Sequence, residues 1–379
     1  MTGIRLLSAL CLALVVVGAG DSQALSPDEW PSPVGEVTLV AAPAPTAAAT
    51  LDVGLVVFDP GVPADASRQG PAGVFPRIRM AEARFMPVVL RQVLMESGAW
   101  GVVRVLPEPE PSAELLVTST ILHSTGLSLV LQVTAVDATG RVWLDTVYHD
   151  ESLESDYPVA PGADPYGDLY HRIANDLLAA RDRLGADRLK EVRRVAILRY
   201  AADLAPEAFA GFLEETEAGR YQLLRLPAAD DPMLARVQRI RNQEHLFVDT
   251  VDEQYADLHE TMAPTYDLWR QYGREQALYK REYQERVASR DREGRRGSFF
   301  AMQRAYDAYK WSKIQDQDLD ELATGFNNEV QPTVLEASGR VFRLNGSLES
   351  QYQEWRGILR CLLYTSDAAD ESRRGGGGG

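Results

Sequence analysis

Cysteine is nearly absent. Of 379 residues only Cys11 and Cys361 carry a thiol, one inside an apolar N-terminal run and one in the final segment. Between them there is no disulfide framework, no thiolate metal site and no cysteine nucleophile. The five histidines, His123, His149, His171, His245 and His259, contain no pair four apart with a glutamate between, so no zinc-protease helix is written here. His245 and His259 would lie about 21 Å apart along one helix and cannot share an ion within it. No metal ligand set and no cofactor follow from these residues. Glycine-rich phosphate loops, GxGxxG, GxSxG and Ser-x-x-Lys are missing from the body of the chain, and no catalytic residue is named. Excess positive charge is missing too. The formal net charge is −16, which argues against non-specific binding to nucleic acid or anionic lipid.

Only one long hydrophobic run occurs, and it is at the start. Arg5 precedes an apolar stretch from Leu6 to Val17, and Ser22-Gln23-Ala24 fits a small-x-small cleavage site. Residues 1–24 therefore read as a secretory signal peptide rather than a membrane span, because roughly a dozen apolar residues are too few. Retention as an anchor is one alternative; a lipoprotein signal at Cys11 is another, opposed by Leu10 where a small residue is needed and by the place of Cys11 inside the apolar run. Export implies a periplasmic protein, in which a cysteine-free body is unexceptional. At the other end, residues 361–379 resemble a translated sequencing adapter followed by a run of glycines, and are set apart from the fold. Residues 25–50 hold Pro27, Pro31, Pro33, Pro43 and Pro45 among alanine and threonine, the composition of a linker.

The body is predicted to be α+β. Residues 51–150 spell β-α-β-β-β-β. Leu51 to Pro60 is apolar on both faces and reads as a central strand. The run 80–98 is a helix with rows at Ala81, Phe85, Val89, Val93 and at Met86, Leu90, Leu94, a face wide enough to cover a sheet; Pro87 either starts it or kinks it. Strands follow at 101–107, 115–122, 127–135 and 141–148, with the first two strands parallel and the rest an antiparallel meander. Residues 160–330 are predicted helical. Helices are expected after Asp164-Pro165, over Leu189 to Arg199 and over Pro206 to Glu215, with a brief strand at 221–226. A long helix from Pro232 to Met262 ends at Pro264 and pairs with a second one through Tyr266 to Tyr283, a long helical hairpin. Its seam, Val237 and Ile240 through Tyr255 and Met262, is broken by Glu244. Arg286 to Arg296 reads as a basic loop, helix resumes over 299–326, and 331–360 forms a C-terminal strand-helix piece.

Residues AEARFMPVVLRQVL (81–94), WGVVRVLP (100–107), TGRVWLD (139–145), DPYGDLYHRIANDLLAARD (164–182) and DDPMLARVQRIR (230–241) carry a resemblance. The first cassette resembles the small α/β domain at the front of envelope components such as TolB and the auxiliary lipoproteins of ABC transporters. The stretch 50–360 is similar to a group of uncharacterised secreted proteobacterial proteins. What the likeness implies is an envelope role; it brings no catalytic residues.

Two constellations invite a functional reading. Asp59 and Glu82 could converge as an acid–base pair; turn chemistry at Asp59-Pro60-Gly61 and charge–dipole attraction at a helix start explain them more simply. Tyr266, Trp269, Tyr272, Tyr279 and Tyr283 form a dense aromatic set, either a sticky surface for a protein partner or core between helices. The expectation is a non-enzymatic periplasmic, envelope-associated scaffold or accessory protein that binds an envelope protein partner. It takes no nucleic acid and no identified small-molecule substrate. The alternatives are a hydrolase acting on envelope polymers, and a lipid-associated protein docking peripherally through Arg290, Arg292, Arg295 and Arg296.

Overall fold

The computed structural model of the chain describes residues 29–42, 50–65, 74–110, 112–228, 230–290, 332–337 and 340–375. The expected signal peptide, the basic stretch after Arg290 and the helix expected over 299–326 lie outside these residues. No helix among them is long and apolar enough to cross a membrane.

The fold is α+β, as the periodicities predict. The first half is a five-stranded mixed sheet. β1 (Val53–Val56) is followed by α1 (Pro76–Glu96), then β2 (Val103–Leu106), β3 (Leu115–Ser124), β4 (Ser128–Asp137) and β5 (Val142–Glu151). The spatial order is β2-β1-β3-β4-β5. β1 is central and buried along its whole length, and it pairs in parallel with β2 and also with β3. The meander is thus confined to β3-β4-β5; the proline-spaced connection after β2 crosses over β1 instead of turning back. Along β4, Leu131, Val133 and Ala135 face the core, while Gln132 and Thr134 turn outward and share Asp145 of β5 as acceptor, the alternation a one-sided sheet needs.

α1 continues without a break through Pro87, which is buried. Proline removes the hydrogen bond to the residue four back, here Ala83. That carbonyl accepts the backbone N–H of Phe58 at 2.9 Å instead, so the blemish in the helix becomes a stitch to the strand that leaves β1. Gly98, at φ +64°, ends α1.

The second half is helical around one long element: α2 (Gly167–Asp182), α3 (Ala186–Leu204), the short α4 (Pro206–Phe209), the hairpin β6 (Leu213–Glu215) and β7 (Tyr221–Leu223), and α5 (Pro232–Arg290). The third expected helix is thus only one turn long. The piece after residue 331 is a strand pair, β8 (Thr333–Ala337) and β9 (Arg340–Leu344), followed by α6 (Leu348–Gly375). α6 carries on through the adapter-like residues, and Leu362 and Leu363 are buried.

The expected helical hairpin is wrong. α5 is one helix of 59 residues that passes through Pro264 without turning. The reason is the side on which the proline sits. Pro264 and Glu260 are both exposed, so the carbonyl that loses its N–H faces water. On the opposite side Tyr255, Leu258, Met262, Tyr266 and Arg270 are buried in unbroken 3–4 spacing, and their packing outweighs the roughly 3 kcal/mol cost of an interior proline. α5 crosses β2, α1, α3 and α6, which makes it the spine joining both halves.

The proline-rich segment 25–50 is not a free tether throughout. Residues 29–42 form an extended strap. Trp30 packs on His123 and His149, with ring centroids 4.6 and 5.2 Å away. His149 Nδ1 donates to Pro31 O (2.8 Å) and Val34 N to His149 O (2.9 Å). The strap then follows α2 and ends with Ala42 N donating to Ser97 O.

Candidate functional site

The aromatic set of α5 divides between core and surface. Tyr266 is fully buried; its ring lies 4.8 Å from Phe85 and 5.8 Å from Trp269, which is half-buried. Six residues on, roughly 240° around the helix, Tyr272 is 41 % exposed beside Leu268 at 54 %. Tyr279 is half-buried. Tyr283 belongs to α5, but its side chain is outside the described residues.

Tyr266 belongs to the first of two buried polar clusters. Its hydroxyl and that of Ser124 donate to Glu82 Oε1 at 2.7 and 2.6 Å, with Arg79 Nε 3.5 Å from Oε2. Next to it Arg270 binds Asp164 (2.8 Å) and Asp267 (2.6 Å) and lies over the Tyr266 ring at 4.4 Å. The guanidinium is 2 % exposed. Glu82 is therefore a core residue in the second turn of α1, not a charge at a helix start. Asp59 is exposed and accepts the Gly61 N–H at 2.8 Å in a turn. No contact joins Asp59 to Glu82 among the described residues, so they form no acid–base pair.

The second cluster sits where β2, α3, α5 and α6 meet, and its centre is Glu244. The residue that breaks the apolar seam of α5 occupies a true core position between Ile240 and Phe247. Tyr200 of α3 donates to Glu244 Oε2. The Tyr352 hydroxyl of α6 lies 2.9 Å from Glu244 Oε1 and 3.0 Å from Glu110 Oε2. Arg356 reaches Glu110 at 2.9 Å, Asp203 at 2.8 Å and Glu244 at 3.7 Å. One phenol proton cannot serve two carboxylates. The arrangement closes if Glu244 is protonated and donates to Tyr352, which then donates to Glu110, whose charge Arg356 balances. Burial, reinforced by the charge of Glu110, holds the Glu244 carboxyl above its ordinary value. The pull of Arg356 and the two tyrosines only partly offsets this.

Two hollows border this cluster. One, about 60 Å³, is lined by Asp52, Arg104, Glu114, Arg241 and His245; burial pushes His245 down to about 4 and Glu114 up. The other, about 430 Å³, is lined by Arg199, Asp203, Phe209, Leu213 and Tyr221, with Glu110 and Arg356 at its wall. Arg199 lies 4.0 Å over the Tyr221 ring. Chemically the cluster can store a proton at Glu244 and present a balanced Glu110–Arg356 pair to the larger hollow. Among the described residues no group of three or more His, Cys, Asp or Glu side chains converges as metal ligands.

Neither Glu110 nor Glu244 is singled out by motif. Glu110 lies among Pro107, Pro109 and Pro111, which read as a spacer. Glu244 left one signal, a carboxylate at a position where helical spacing demands an apolar residue. No protein family, curated protein or solved structure matches this chain.

Proposed function

We propose that the protein is a non-enzymatic, envelope-associated scaffold of the periplasm that binds a protein partner along α5. One observation carries the reading. The spine is locked to α1 by Tyr266 and to the segment before α2 by Arg270, and immediately beside that lock it turns Leu268 and Tyr272 to solvent. A rigid helix with apolar and aromatic side chains outside its own core is a form that helix-in-groove recognition uses. The helix continues 16 residues past Arg274 to Arg290, with Glu275, Arg281 and Glu282 exposed, which suits a polar rim. The lead-like composition of residues 1–24 supports export.

The test is co-purification from the envelope fraction of producing cells, comparing the full chain with its Leu268→Asp/Tyr272→Asp variant. A partner held by the parent and lost from a variant of unchanged unfolding midpoint is expected. Equal retention by both would remove α5 as the binding element.

The hydrolase reading has one feature in its favour, the Glu110–Tyr352–Glu244 array beside the larger hollow. Its difficulty is that Arg356 and two phenols already hold both carboxyls. Release of reducing ends or free amines from purified cell-wall polymer, abolished by Glu110→Gln, would establish it. The lipid-associated reading rests on arginines of which only Arg290, the last residue of α5, falls among the described residues.

A further inference from the structure

A third hollow, of about 210 Å³, is walled by the β4–β5 turn, the start of α3 and the β6–β7 hairpin. Three arginines reach it, one from each of these elements: Arg141, Arg188 and Arg220. Two of them are set there by the backbone. The β4–β5 and β6–β7 turns dock glycine on glycine: a Cβ on Gly140 would lie 2.3 Å from Gly219 O, and Tyr221 N donates to Thr139 O at 2.9 Å. Arg141 and Arg220 directly follow these glycines, so the docked turns bring both to one hollow.

Like charges gathered at one place repel unless an opposite charge stands between them. The acids of this hollow do not supply it. Asp137 spends both carboxylate oxygens on its own turn and on Trp143: Oδ1 accepts Thr139 N, Thr139 Oγ1 and Arg141 N, and Oδ2 accepts Trp143 Nε1. Glu191 holds Arg188 at 2.7 Å. Asp187, in the first turn of α3, pairs with Lys190 and does not line the hollow. Among the described residues no hydrogen bond or ion pair engages the side chain of Arg141 or Arg220. The arginines of the larger hollow beside Glu244 differ. Arg199 is taken by Ala138 O and the Tyr221 ring, and Arg356 by three carboxylates. In a chain of net charge −16, acids to pair with Arg141 and Arg220 are plentiful, yet none is placed there.

We propose that this hollow binds a phosphomonoester, with its dianion held between Arg141 and Arg220. A carboxylate brings one charge and two oxygens, which a single guanidinium fork satisfies. Two unengaged forks from two separate turns call for a dianion with three acceptor oxygens, which is what a phosphate monoester presents near neutral pH. The first turn of α3 adds the positive end of the helix dipole. The hollow is smaller than the roughly 300–1,000 Å³ of pockets for drug-sized ligands, so the ester is a compact one. The site shares no residue with the partner surface on α5, and either can fail without the other.

Isothermal titration calorimetry of the full chain with glycerol 3-phosphate, at low salt and about pH 7.5, tests it. A dissociation constant below about 1 mM is expected, weakened about tenfold or more in Arg141→Gln/Arg220→Gln. Dimethyl phosphate, a monoanion, should bind about tenfold more weakly than the monoester. Glu191→Gln removes a carboxylate from the wall and frees Arg188, so it should tighten binding several-fold; this variant keeps the test open should the double variant not fold. The same dianion stands on the headgroup of phosphatidic acid. Cosedimentation with phosphatidylcholine vesicles containing about one-fifth phosphatidic acid, lost in the double variant and with no heat from glycerol 3-phosphate, assigns the ester to a lipid. Heat from glycerol 3-phosphate assigns it to a soluble molecule. Binding of neither probe, equal binding by the folded double variant, equal binding of the diester, or no tightening in Glu191→Gln overturns the proposal.

Discussion

At the sheet end of α5, Arg270 is sealed between Asp164, Asp267 and the face of Tyr266, and the neighbouring Glu82 takes hydroxyls from Ser124 and Tyr266. About 40 Å back along the same helix, Glu244 takes a similar set of partners, two tyrosines and an arginine, but beside two hollows. Both clusters put charge where an apolar seam would suffice. The sealed one fixes a rotational setting: α5 cannot turn without unpairing Arg270. The bordered one retains access, and access is what lets a buried carboxyl change its protonation. Similar residues thus serve as a lock in one place and as a titrating junction in the other, and the difference is the space beside them.

Removing the arginine from each cluster tests this most severely. Arg270→Met leaves Asp164, itself 7 % exposed, as an uncompensated buried charge. It should cost about 3–5 kcal/mol in urea unfolding, and adding Asp164→Asn should recover at least half. Arg356→Met leaves Glu110 at the wall of a hollow that water can enter, and should cost only about 1–2 kcal/mol. Equal losses would erase the distinction between lock and junction.

The next contrast concerns the lock alone. Gly126, between β3 and β4, sits so close under α5 that an added Cβ would lie 1.6 Å from Arg270 O and 2.5 Å from Arg274 N. Both are backbone atoms that cannot swing aside. Gly126→Ala should therefore destabilise by about 1–3 kcal/mol. Gly273, on the helix side of the same crossing, would place its Cβ 3.4 Å from Gly126 N, an ordinary contact. Gly273→Ala should be neutral or stabilising by up to about 1 kcal/mol through helix propensity. Thermal unfolding of the two variants gives opposite signs if α5 is held against the sheet here, and the same sign if it is not.

How much of this was legible follows from where the periodic signal lives. The strands and α1 repeat over enough residues that Val53 to Val56 and the rows through Phe85 and Leu90 announce their faces. The sequence suggests a hairpin because proline is a local signal and burial is not: nothing near Pro264 tells that residue 264 faces water while Met262 and Tyr266 face the core. The strap has the composition of a linker because its bonds to α2 are made by backbone atoms, which leave no mark on residue identity; the trace they leave is the polar triplet Asp168, His171 and Asn175. Glu244 was visible as an exception to the seam, but its meaning needed Glu110, Tyr200 and Tyr352, which are 134, 44 and 108 residues distant and share no motif.

The smallest effect is the most specific to the junction. In the folded chain Glu244 is held above the ordinary carboxyl value by burial and by Glu110, so the native state binds its proton more tightly than the unfolded state does. Its contribution to stability is then fully present below the unfolded value, near 4.5. That contribution is lost as pH rises through the folded value. Asp150, raised to about 7 by burial, adds a slope of the same sign. His123 and His245, lowered to about 4, add the opposite one, losing stability as pH falls from about 6.5. Glu244→Gln isolates one term from these. Glutamine keeps an acceptor for Tyr200 and offers Tyr352 a donor, as the protonated acid does, and it does not titrate. Unfolding free energies of parent and variant should coincide near pH 4.5 and diverge in the variant's favour as pH rises towards 7. Parallel curves would mean that Glu244 binds its proton no more tightly in the folded chain than in the unfolded one, and that the proton placed between it and Tyr352 belongs elsewhere. A divergence that vanishes when Glu244→Gln is made in a Glu110→Gln background, compared with Glu110→Gln alone, would show that the repulsion between the two carboxyls, rather than burial alone, sets the slope.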